Sequence, residues 1–202
     1  MPSSNWYCSL DELKQECGIP ASNTGHDVSL ELAIEAAGRT IDNYTNRRFY
    51  SATETRYYTA RDTTCLEVDD LLAISALNVD TSGGNQYGTT LSSNDYWLNP
   101  PNASYDGLPY TELAIRATST GSLPTHTRGV RITGTFGFSP STAIPAVIKK
   151  VTLLKAAGDF RAAQQPTGFE GGRDFGSQLT LGAGLHPFIR QALDPFRRRT
   201  IA

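Results

Sequence analysis

The 202-residue sequence has few cysteines and no long apolar run. Cys8, Cys17 and Cys65 are an odd number without metal-like spacing, which favours three ordinary thiols in a reducing compartment over a disulfide framework. No apolar run approaches the roughly 20 residues that span a bilayer, so we expect no membrane-spanning segment. The start, MPSSNWYCSL, lacks a basic region followed by an apolar one, and this predicts no secretion signal.

The chain also lacks a strong charge of either sign. Its formal net charge is -2, which gives no support to a surface that binds nucleic acid in general. One dense basic run, Arg197–Arg199, is interpreted as a solvated tail or a contact to an acidic protein surface, with a DNA contact as the weaker alternative. The 39% hydrophobic and 19% charged residues are typical of a soluble globular protein with one or two cores.

Catalytic motifs are missing as well. His26, His126 and His186 are scattered, and no nucleophile elbow, Walker loop, helical histidine pair or dinucleotide-binding glycine motif is present. The adjacent Asp69 and Asp70 are interpreted as a structural turn rather than a cation site, because no third acidic residue lies near them in sequence. We therefore predict no catalytic residue, no metal and no cofactor.

Two long helical patterns flank the middle of the chain. The apolar spacing in 28–49 predicts an amphipathic helix with Asp27 or Ser29 as its N-cap. Its predicted inward face comprises Leu30, Ile34, Ala37, Ile41 and Tyr44. A partner helix is predicted over 144–163. The apolar stripe expected on this partner comprises Ile144, Val147, Ile148, Val151, Leu154 and Gly158. A short first helix is predicted over 9–17 from the capping box of Ser9 and Glu12.

The region between the long helices is rich in β-branched and aromatic residues, with turn signals between short segments. The predicted strands are TRYYTA, CLEV, ISALNVD, YWLNP, TELAIRA and GVRITGTFGF. Their alternation and the lack of a parallel βαβ pattern predict a small antiparallel sandwich or barrel. The predicted fold class is α+β: a helical bundle built from 1–54 and 140–163, with a β-rich antiparallel insertion, 55–139, between the two long helices.

The last part of the chain, 164–202, is predicted to be an extended C-terminal arm ending in a short helix. Residues 164–184 are rich in glycine and have little periodicity. LHPFIRQALDPFRRR then has the pattern of a short amphipathic helix. Because such a helix at the end of a flexible arm cannot easily join its own core, it is interpreted as a docking peptide for another surface.

Several stretches in a fixed order carry a resemblance to a known family. They are SLDELKQECGIP with LELAIEAAGRTIDNYTNRRFY, then TRYYTA, CLEVDDLLAISALNVD, NDYWLNP and GLPYTELAI, then VRITGTFGFS with IPAVIKKVTLLKAAGDF. Together they resemble the head–tail connector (adaptor, or head completion) proteins of long-tailed bacteriophages. The similarity covers about residues 9–163, and the basic end LHPFIRQALDPFRRR also looks like the family's C-terminal segment.

The resemblance implies a structural virion protein and not an enzyme. Such an adaptor forms a ring of about twelve copies under the portal, extends the DNA channel and joins capsid to tail. The implied partners are further copies of the chain, the portal protein, the next neck or tail protein (a stopper or tail terminator), and genomic DNA that passes without sequence-specific contact. The implied location is the capsid–tail neck of the virion, after synthesis in the host bacterial cytoplasm.

This interpretation gives three groups of candidate site residues. Portal docking is expected of Phe188, Ile189, Leu193, Phe196, Arg197, Arg198 and Arg199. Subunit contacts are expected of Glu31, Glu35, Arg39, Lys149 and Lys155. The tail side is expected to use Asn85, Tyr87, Asn102 and Tyr105. Deletion of 185–202 is expected to leave a folded protein that no longer joins the neck.

Two other functions stay open. One is a tail or baseplate binding module that recognises a host surface glycan through the β insertion. Exposure of Tyr96 and Trp97 in a shallow groove favours this module, and burial counts against it. The other is a hydrolase, which needs His126 or His186 beside a carboxylate and a nucleophile in one pocket. The adaptor ranks first, the binding module second and the enzyme third.

Overall fold

The computed structural model describes residues 5–140, 143–164 and 185–198. Within these residues the chain forms four α-helices and six strands and divides into two compact units. We call Met1–Arg47 with Ile144–Ala202 the helical unit, and Arg48–Ala143 the sheet unit. Apart from Gln164, the arm predicted over 164–184 lies outside the described residues.

Helix α1, Leu10–Cys17, begins at the capping box that the sequence predicts. The Ser9 hydroxyl accepts a hydrogen bond from the Glu12 N–H at 3.2 Å, and the Glu12 carboxylate accepts one from the Ser9 N–H at 2.9 Å. Gly18 ends the helix at a φ of 72°, a left-handed conformation that glycine adopts without a Cβ clash. Both ends of α1 are therefore set by local sequence.

Helix α2, Asp27–Thr45, is shorter than the predicted 28–49. Asn46 ends it in the left-handed conformation, at a φ of 52°, which asparagine tolerates better than most residues. The N-cap position is His26, whose side chain makes no capping hydrogen bond, so the predicted capping role of Asp27 or Ser29 is wrong. The Asp27 carboxylate instead lies 2.6 Å from the ammonium of Lys14.

Helix α3, Ala146–Gln164, packs against α1 and α2 through a face that differs from the predicted stripe. Val147 is exposed, whereas Thr152 is fully buried. The Thr152 hydroxyl donates to the Ile148 carbonyl at 2.8 Å, which satisfies the polar group inside the core. The core of the helical unit contains Leu13, Leu30, Ala33, Ile34, Ala37, Ala156, Ala157 and Phe160.

Helix α4, Pro187–Leu193, continues into a short 3₁₀ turn, Asp194–Phe196, and packs within the helical unit against α2 and α3. Leu193 is fully buried and Ile189 nearly so. The Arg198 N–H donates to the Thr45 carbonyl at 2.8 Å, at the end of α2. The expectation that this segment cannot join its own core is therefore wrong, because its apolar side is buried against the bundle.

The sheet unit contains one antiparallel sheet of six strands within the described residues. The strands are β1 (Ala52–Tyr58), β2 (Cys65–Val79), β3 (Thr89–Leu91), β4 (Tyr96–Asn99), β5 (Tyr110–Ile115) and β6 (Val130–Phe136). Their order is β1–β6–β2–β5–β4, and β3 pairs with β2. Side chains from all strands except β1 form the buried core, which includes Leu66, Leu71, Leu77, Leu91, Tyr96, Leu113, Ile132 and Phe136.

Strand β2 is one continuous strand where the sequence predicts two separate segments. Its first part pairs with β5 and its second with β6. The pairing shifts register between Glu67 and Leu71 on the β5 side, and between Leu71 and Ala76 on the β6 side. Asp69 and Asp70 consequently lie inside β2, so their interpretation as a turn is wrong. The Asp69 carboxylate accepts hydrogen bonds from Arg56 at 2.7 Å and from the Tyr58 hydroxyl at 3.0 Å.

None of the helices in the described part of the chain combines the length and apolar character needed to cross a membrane.

Candidate assembly surfaces

The portal candidates divide into a buried set and an exposed set. Ile189 and Leu193 are buried where α4 packs within the helical unit, so their side chains make contacts inside the chain itself. Phe188 is 60% exposed. Arg197 is also exposed, whereas Phe196 and Arg198 are half-buried, and Arg199 lies outside the described residues. Arg190, Asp194 and Arg197 follow one another at steps of four and three residues on one exposed side of this segment, which we call the α4 face. Phe188 lies two residues before Arg190 and therefore projects from a different side of the helix.

Local contacts hold the α4 face in place. Pro187 occupies the first helical turn, and the His186 Nδ1 accepts a hydrogen bond from the Phe188 N–H at 3.3 Å. The Tyr44 hydroxyl donates to Asp194 at 2.6 Å, which raises the pKa of Tyr44. The Arg197 guanidinium lies 5.2 Å from the centre of the Tyr44 ring. The face is therefore anchored at the C-terminal end of α2.

Most of the predicted subunit-contact residues are engaged within their own chain. Glu35 accepts a hydrogen bond from the Trp6 indole at 3.0 Å and pairs with Arg39 at 3.4 Å. Lys149 pairs with Glu12. In the same way Lys155 pairs with Asp159 at 2.6 Å. The Glu31 carboxylate differs from these, since it has no partner within the described residues.

Arg39 joins Glu35 in holding the N-terminal segment on α2. Its guanidinium donates to the Asn5 carbonyl at 3.1 Å and pairs with Asp42 at 2.9 Å. The Tyr7 hydroxyl donates to the same Asp42 carboxylate. These contacts give Glu35 and Arg39 an internal structural role, whatever else they bind.

The outer side of α2 carries an apolar row that the sequence reasoning missed. Val28 is 72% exposed, Leu32 is 66% exposed, and Ala36 is exposed as well. Spacings of four residues place them one above the other on the helix. This spacing is visible in the sequence, but the inward face predicted for the helix does not include it. We call Val28, Leu32 and Ala36, with the adjacent Glu31, the α2 stripe.

The tail-side candidates lie in two segments of the sheet unit. Tyr105 is 90% exposed in a turn where its N–H donates to the Asn102 carbonyl at 3.0 Å. Leu108 follows in the same turn and is also exposed. Asn85 and Tyr87 lie in the segment that connects β2 to β3. The Tyr87 hydroxyl donates to the Arg128 carbonyl at 2.8 Å, so this side chain is partly used in internal packing.

Asp80 organises the segment that contains Asn85. Its buried carboxylate accepts hydrogen bonds from the Ser82 hydroxyl at 2.8 Å and from the backbone N–H groups of Ser82, Gly83 and Asn85. Burial raises the pKa of Asp80, but these hydrogen bonds outweigh it and lower the pKa to about 2. The carboxylate is thus a fixed anionic anchor for the loop.

His126, the histidine nearest to this carboxylate, does not form a hydrolase site with it. The His126 Nε2 lies 3.7 Å from Asp80 Oδ2, which is longer than a hydrogen bond. Ser82 donates its proton to Asp80 rather than to the imidazole, so the imidazole does not activate the hydroxyl as a nucleophile. This arrangement fits an anchored loop.

Asp80 makes the loop sensitive to acid. Its pKa in the folded chain lies below the ordinary 3.8, so its contribution to stability is present above pH 3.8 and lost as the pH falls towards 2. We expect Asp80→Asn to remove this part of the acid dependence and to lower stability most at neutral pH. Urea unfolding of both proteins between pH 7 and pH 2.5 measures this, and a constant difference between them across that range would contradict it.

The two aromatic side chains proposed for glycan recognition, Tyr96 and Trp97, differ in their exposure to solvent. Tyr96 is buried in the core, whereas Trp97 is 57% exposed. The guanidinium of Arg116 lies 3.5 Å from the centre of the Trp97 ring and covers one of its faces. One of the two aromatic rings is therefore available to a ligand, through a single open face.

Metal-binding and thiol chemistry are weakly supported within residues 5–140, 143–164 and 185–198. No group of three or more histidine, cysteine or acidic side chains in these ranges is placed to hold a metal ion. Burial raises the pKa of Cys8 to about 12, so this thiol stays protonated at neutral pH.

Comparison with known proteins gives matches only at the level of structure. No family model and no curated protein matches the sequence. A chain from the neck of an empty gene transfer agent (GTA) particle, computed with C6 symmetry, has a TM-score of 0.61 and 16% identity. A chain from the virion of a native GTA particle has a TM-score of 0.60 and 17% identity. A chain from a native GTA neck, computed with C12 symmetry, has a TM-score of 0.56 and 17% identity.

Each of these similarities covers 96% of this chain and 90% of the other. The protein has the fold of a GTA neck chain. At this level of identity the comparison establishes the fold, and the helices and the sheet are both included in it.

Proposed function

We propose that the chain is a structural neck protein of a phage or phage-like particle. In this proposal it is a head–tail adaptor that forms a ring of twelve copies under the portal, extends the DNA channel and joins capsid to tail. The observation that supports this proposal most strongly is the fold that the chain shares with a GTA neck chain over 96% of its sequence. The resemblance of the sequence to phage adaptors supports the same role. Twelve copies fit both the C6 and the C12 symmetry of the similar necks.

The physical properties of the chain suit a ring around DNA. Identical subunits joined head to tail use two different patches, and a ring repeats one modest interface many times. The formal charge of -2 over 202 residues suits a channel wall that must let DNA slide without adhesion. We expect acidic or neutral side chains in the lumen. A ring structure with a continuous Lys/Arg belt on its inner surface would contradict this.

The exposed side chains supply docking surfaces for neighbouring neck chains. On the helical unit these are the α4 face and the α2 stripe. On the sheet unit, Tyr105 and Leu108 form an exposed apolar turn, and we propose it as the contact to the next neck or tail protein. The portal contact proposed for the C-terminal segment excludes Ile189 and Leu193, because the helical unit already buries them.

Loss of the protein from infected or producing cells is expected to yield heads and tails that do not join. An adaptor completes the head, so its absence leaves separate tails and heads without a tail attachment point. Negative-stain electron microscopy of lysates with and without the protein measures this, with re-expression of the full chain as the control. Complete particles that fail to bind host cells would contradict the adaptor and support the host-binding module.

The host-binding module is a second candidate because Trp97 is exposed on the sheet unit. Sugars stack on open aromatic faces. We expect Trp97→Ala to leave particle assembly and host binding unchanged if the adaptor proposal holds. Loss of binding to host cells by fully assembled Trp97→Ala particles would favour the module instead.

A further inference from the structure

Two tyrosines and two arginines form a contiguous patch on the surface of the sheet unit. The centres of the Tyr57 and Tyr87 rings lie 5.5 Å apart. The Arg128 guanidinium lies 5.4 Å from the centre of the Tyr57 ring, and the Arg131 guanidinium lies 4.7 Å from the centre of the Tyr87 ring. Tyr57 and Arg128 are exposed, whereas Tyr87 and Arg131 are half-buried. We call these four residues the Tyr–Arg patch.

The backbone around Arg128 holds this patch in place. Arg128 has a φ of 60°, a left-handed conformation that is unfavourable for a residue with a side chain of this kind. Its N–H donates to the Thr59 hydroxyl at 3.0 Å, and its carbonyl accepts a hydrogen bond from the Tyr87 hydroxyl at 2.8 Å. Strained backbone of this type is concentrated at functional sites. Because both guanidinium groups already lie against tyrosine rings, little side-chain freedom is lost when they bind a partner.

No carboxylate pairs with Arg128 or Arg131 among the residues that the structure describes. The cross-strand neighbours on the same face of the sheet, Thr55, Thr133 and Asn78, are uncharged. Asp80 is buried and accepts its hydrogen bonds from its own loop. A planar guanidinium binds a carboxylate through its N–H edge, and tyrosine and arginine are enriched in protein–protein interfaces. The Tyr–Arg patch therefore fits an acidic protein surface.

The first part of β2 carries an acidic counterpart. Glu67 of β2 lies directly opposite Glu112 of β5, an arrangement that brings two like charges together and is unfavourable. Glu112 accepts a hydrogen bond from the Asn99 amide at 2.7 Å, but no cation in the described ranges pairs with either carboxylate. Burial raises the pKa of the adjacent Cys65 thiol, and the charges of Glu112 and Asp62 raise it further. We call Glu67 and Glu112 the Glu pair.

The Tyr–Arg patch and the Glu pair lie at different ends of the same strand. Arg131 is opposite Asn78 in the second part of β2, and Glu67 is in the first part. Eleven residues separate Asn78 from Glu67, or about 36 Å along a straight strand at 3.3 Å per residue. Neither arginine forms an ion pair with either glutamate in one copy, so the missing counter-charges have to come from another molecule.

We infer that the Tyr–Arg patch of one copy docks on the Glu pair of the next copy and forms a subunit contact of the ring. This inference rests on the proposed function and names the partner of two surfaces of the sheet unit. A second copy is the occupant because it brings two carboxylates to two guanidinium groups, and each set supplies the charge that the other lacks. Because the two surfaces differ, the contact is head to tail and propagates around a ring.

DNA is the competing partner for a patch that is both basic and aromatic, and the geometry favours it less. The Tyr57 and Tyr87 rings pack against each other with 52° between their planes, so they do not form a parallel slot for a base. Two arginines neutralise only about two phosphates per copy. A DNA contact would also leave the Glu pair without a counter-charge.

Charge reversal in producing cells tests the contact. Cells that lack the chain receive Arg128→Glu, Glu67→Arg, or both variants as separate chains, and joined particles are counted by negative-stain electron microscopy. Either variant alone sets like charges against each other at every interface of the ring, so we expect about tenfold fewer joined particles. When both are present they can alternate around the ring with opposite charges at every interface, and we expect the yield to return to within about twofold of the wild type.

Two controls separate this contact from folding and from charge in general. Arg61→Glu is the matched charge reversal, because Arg61 is an exposed arginine of the sheet unit outside both surfaces, and we expect it to give the wild-type yield. Purified Arg128→Glu and Glu67→Arg are expected to keep the wild-type cooperative melt, because both side chains are exposed. If Arg128→Glu does not, Arg131→Glu takes its place in the same mixture.

The contact and the proposed function fail in different ways. An unchanged yield with either variant alone, or no recovery in the mixture, would overturn the contact. Loss in Arg128→Glu that Glu67→Arg does not relieve would assign the Tyr–Arg patch to DNA or to another neck chain. Either result, with the chain located in the neck, retains the adaptor, whereas a chain located away from the neck rejects the adaptor itself.

Discussion

Replacement of Gly134 by alanine is expected to destabilise the sheet unit by about 3 kcal/mol, as overpacking in a fixed backbone does. Gly134 lies in β6 opposite Ile74 of β2, beside a register shift. A Cβ at this position would lie 2.3 Å from the Ala73 carbonyl oxygen. Both clashing groups belong to the backbone of central strands, so neither can move away without breaking the ladder between β2 and β6.

Each unit of the chain contains one tryptophan, which allows the effect to be assigned. Trp97 reports on the sheet unit in a Trp6→Phe background, and urea unfolding followed by its fluorescence gives the free energy. Gly88→Ala is the matched control, because a Cβ there meets nothing within 4 Å. A Gly134→Ala protein as stable as the Gly88→Ala protein would show that the backbones of β2 and β6 do not approach this closely.

The second large effect is expected from Leu193→Ala, which should lower the free energy of unfolding of the helical unit by about 2–5 kcal/mol. Leu193 is fully buried where α4 meets the helical unit. Its truncation removes apolar contact and leaves a cavity at the attachment point of α4. Trp6, in a Trp97→Phe background, reports on this unit through its hydrogen bond to Glu35.

Phe188→Ala is the internal control for this prediction. It removes a larger side chain from the same helix, but one that is mostly exposed, so a change within about 0.5 kcal/mol is expected. Equal stability of Leu193→Ala and the wild type would mean that α4 is a free docking peptide, as the sequence alone suggests. A loss of stability in Leu193→Ala but not in Phe188→Ala would mean that deletion of 185–202 exposes the apolar core of the helical unit and is not a neutral truncation.

The parts of the fold that were predictable from sequence depend on local signals. The capping box of α1 needs only Ser9 and Glu12. One helical period gives the buried row of α2, Leu30, Ile34, Ala37 and Ile41, but the inward position predicted for Tyr44 is wrong, since this side chain is only half-buried. The end of α2 was harder to predict from the sequence, because Asn46 adopts a left-handed conformation that the continuing polar pattern does not reveal. The buried Thr152 was missed for a similar reason, since its hydroxyl is satisfied by its own helix and the pattern counts only apolar residues.

The errors in the candidate sites have a non-local cause. Ile189 and Leu193 have the same spacing whether they bind another protein or their own bundle. Only the position of α4 at the end of α2 distinguishes the two. That position depends on contacts between residues about 150 apart in sequence, such as Tyr44 and Asp194. The α2 stripe, by contrast, could have been predicted from the spacing of Val28 and Leu32 in the sequence.

The most direct test of the account is the location of the chain in intact particles. Gold-labelled antibody against this chain, imaged by electron microscopy on particles from the source, reports it without any assumption about partners. The account predicts label at the junction of head and tail. Label at the tail tip, or particles without label while the protein is abundant in the producing cell, would contradict it.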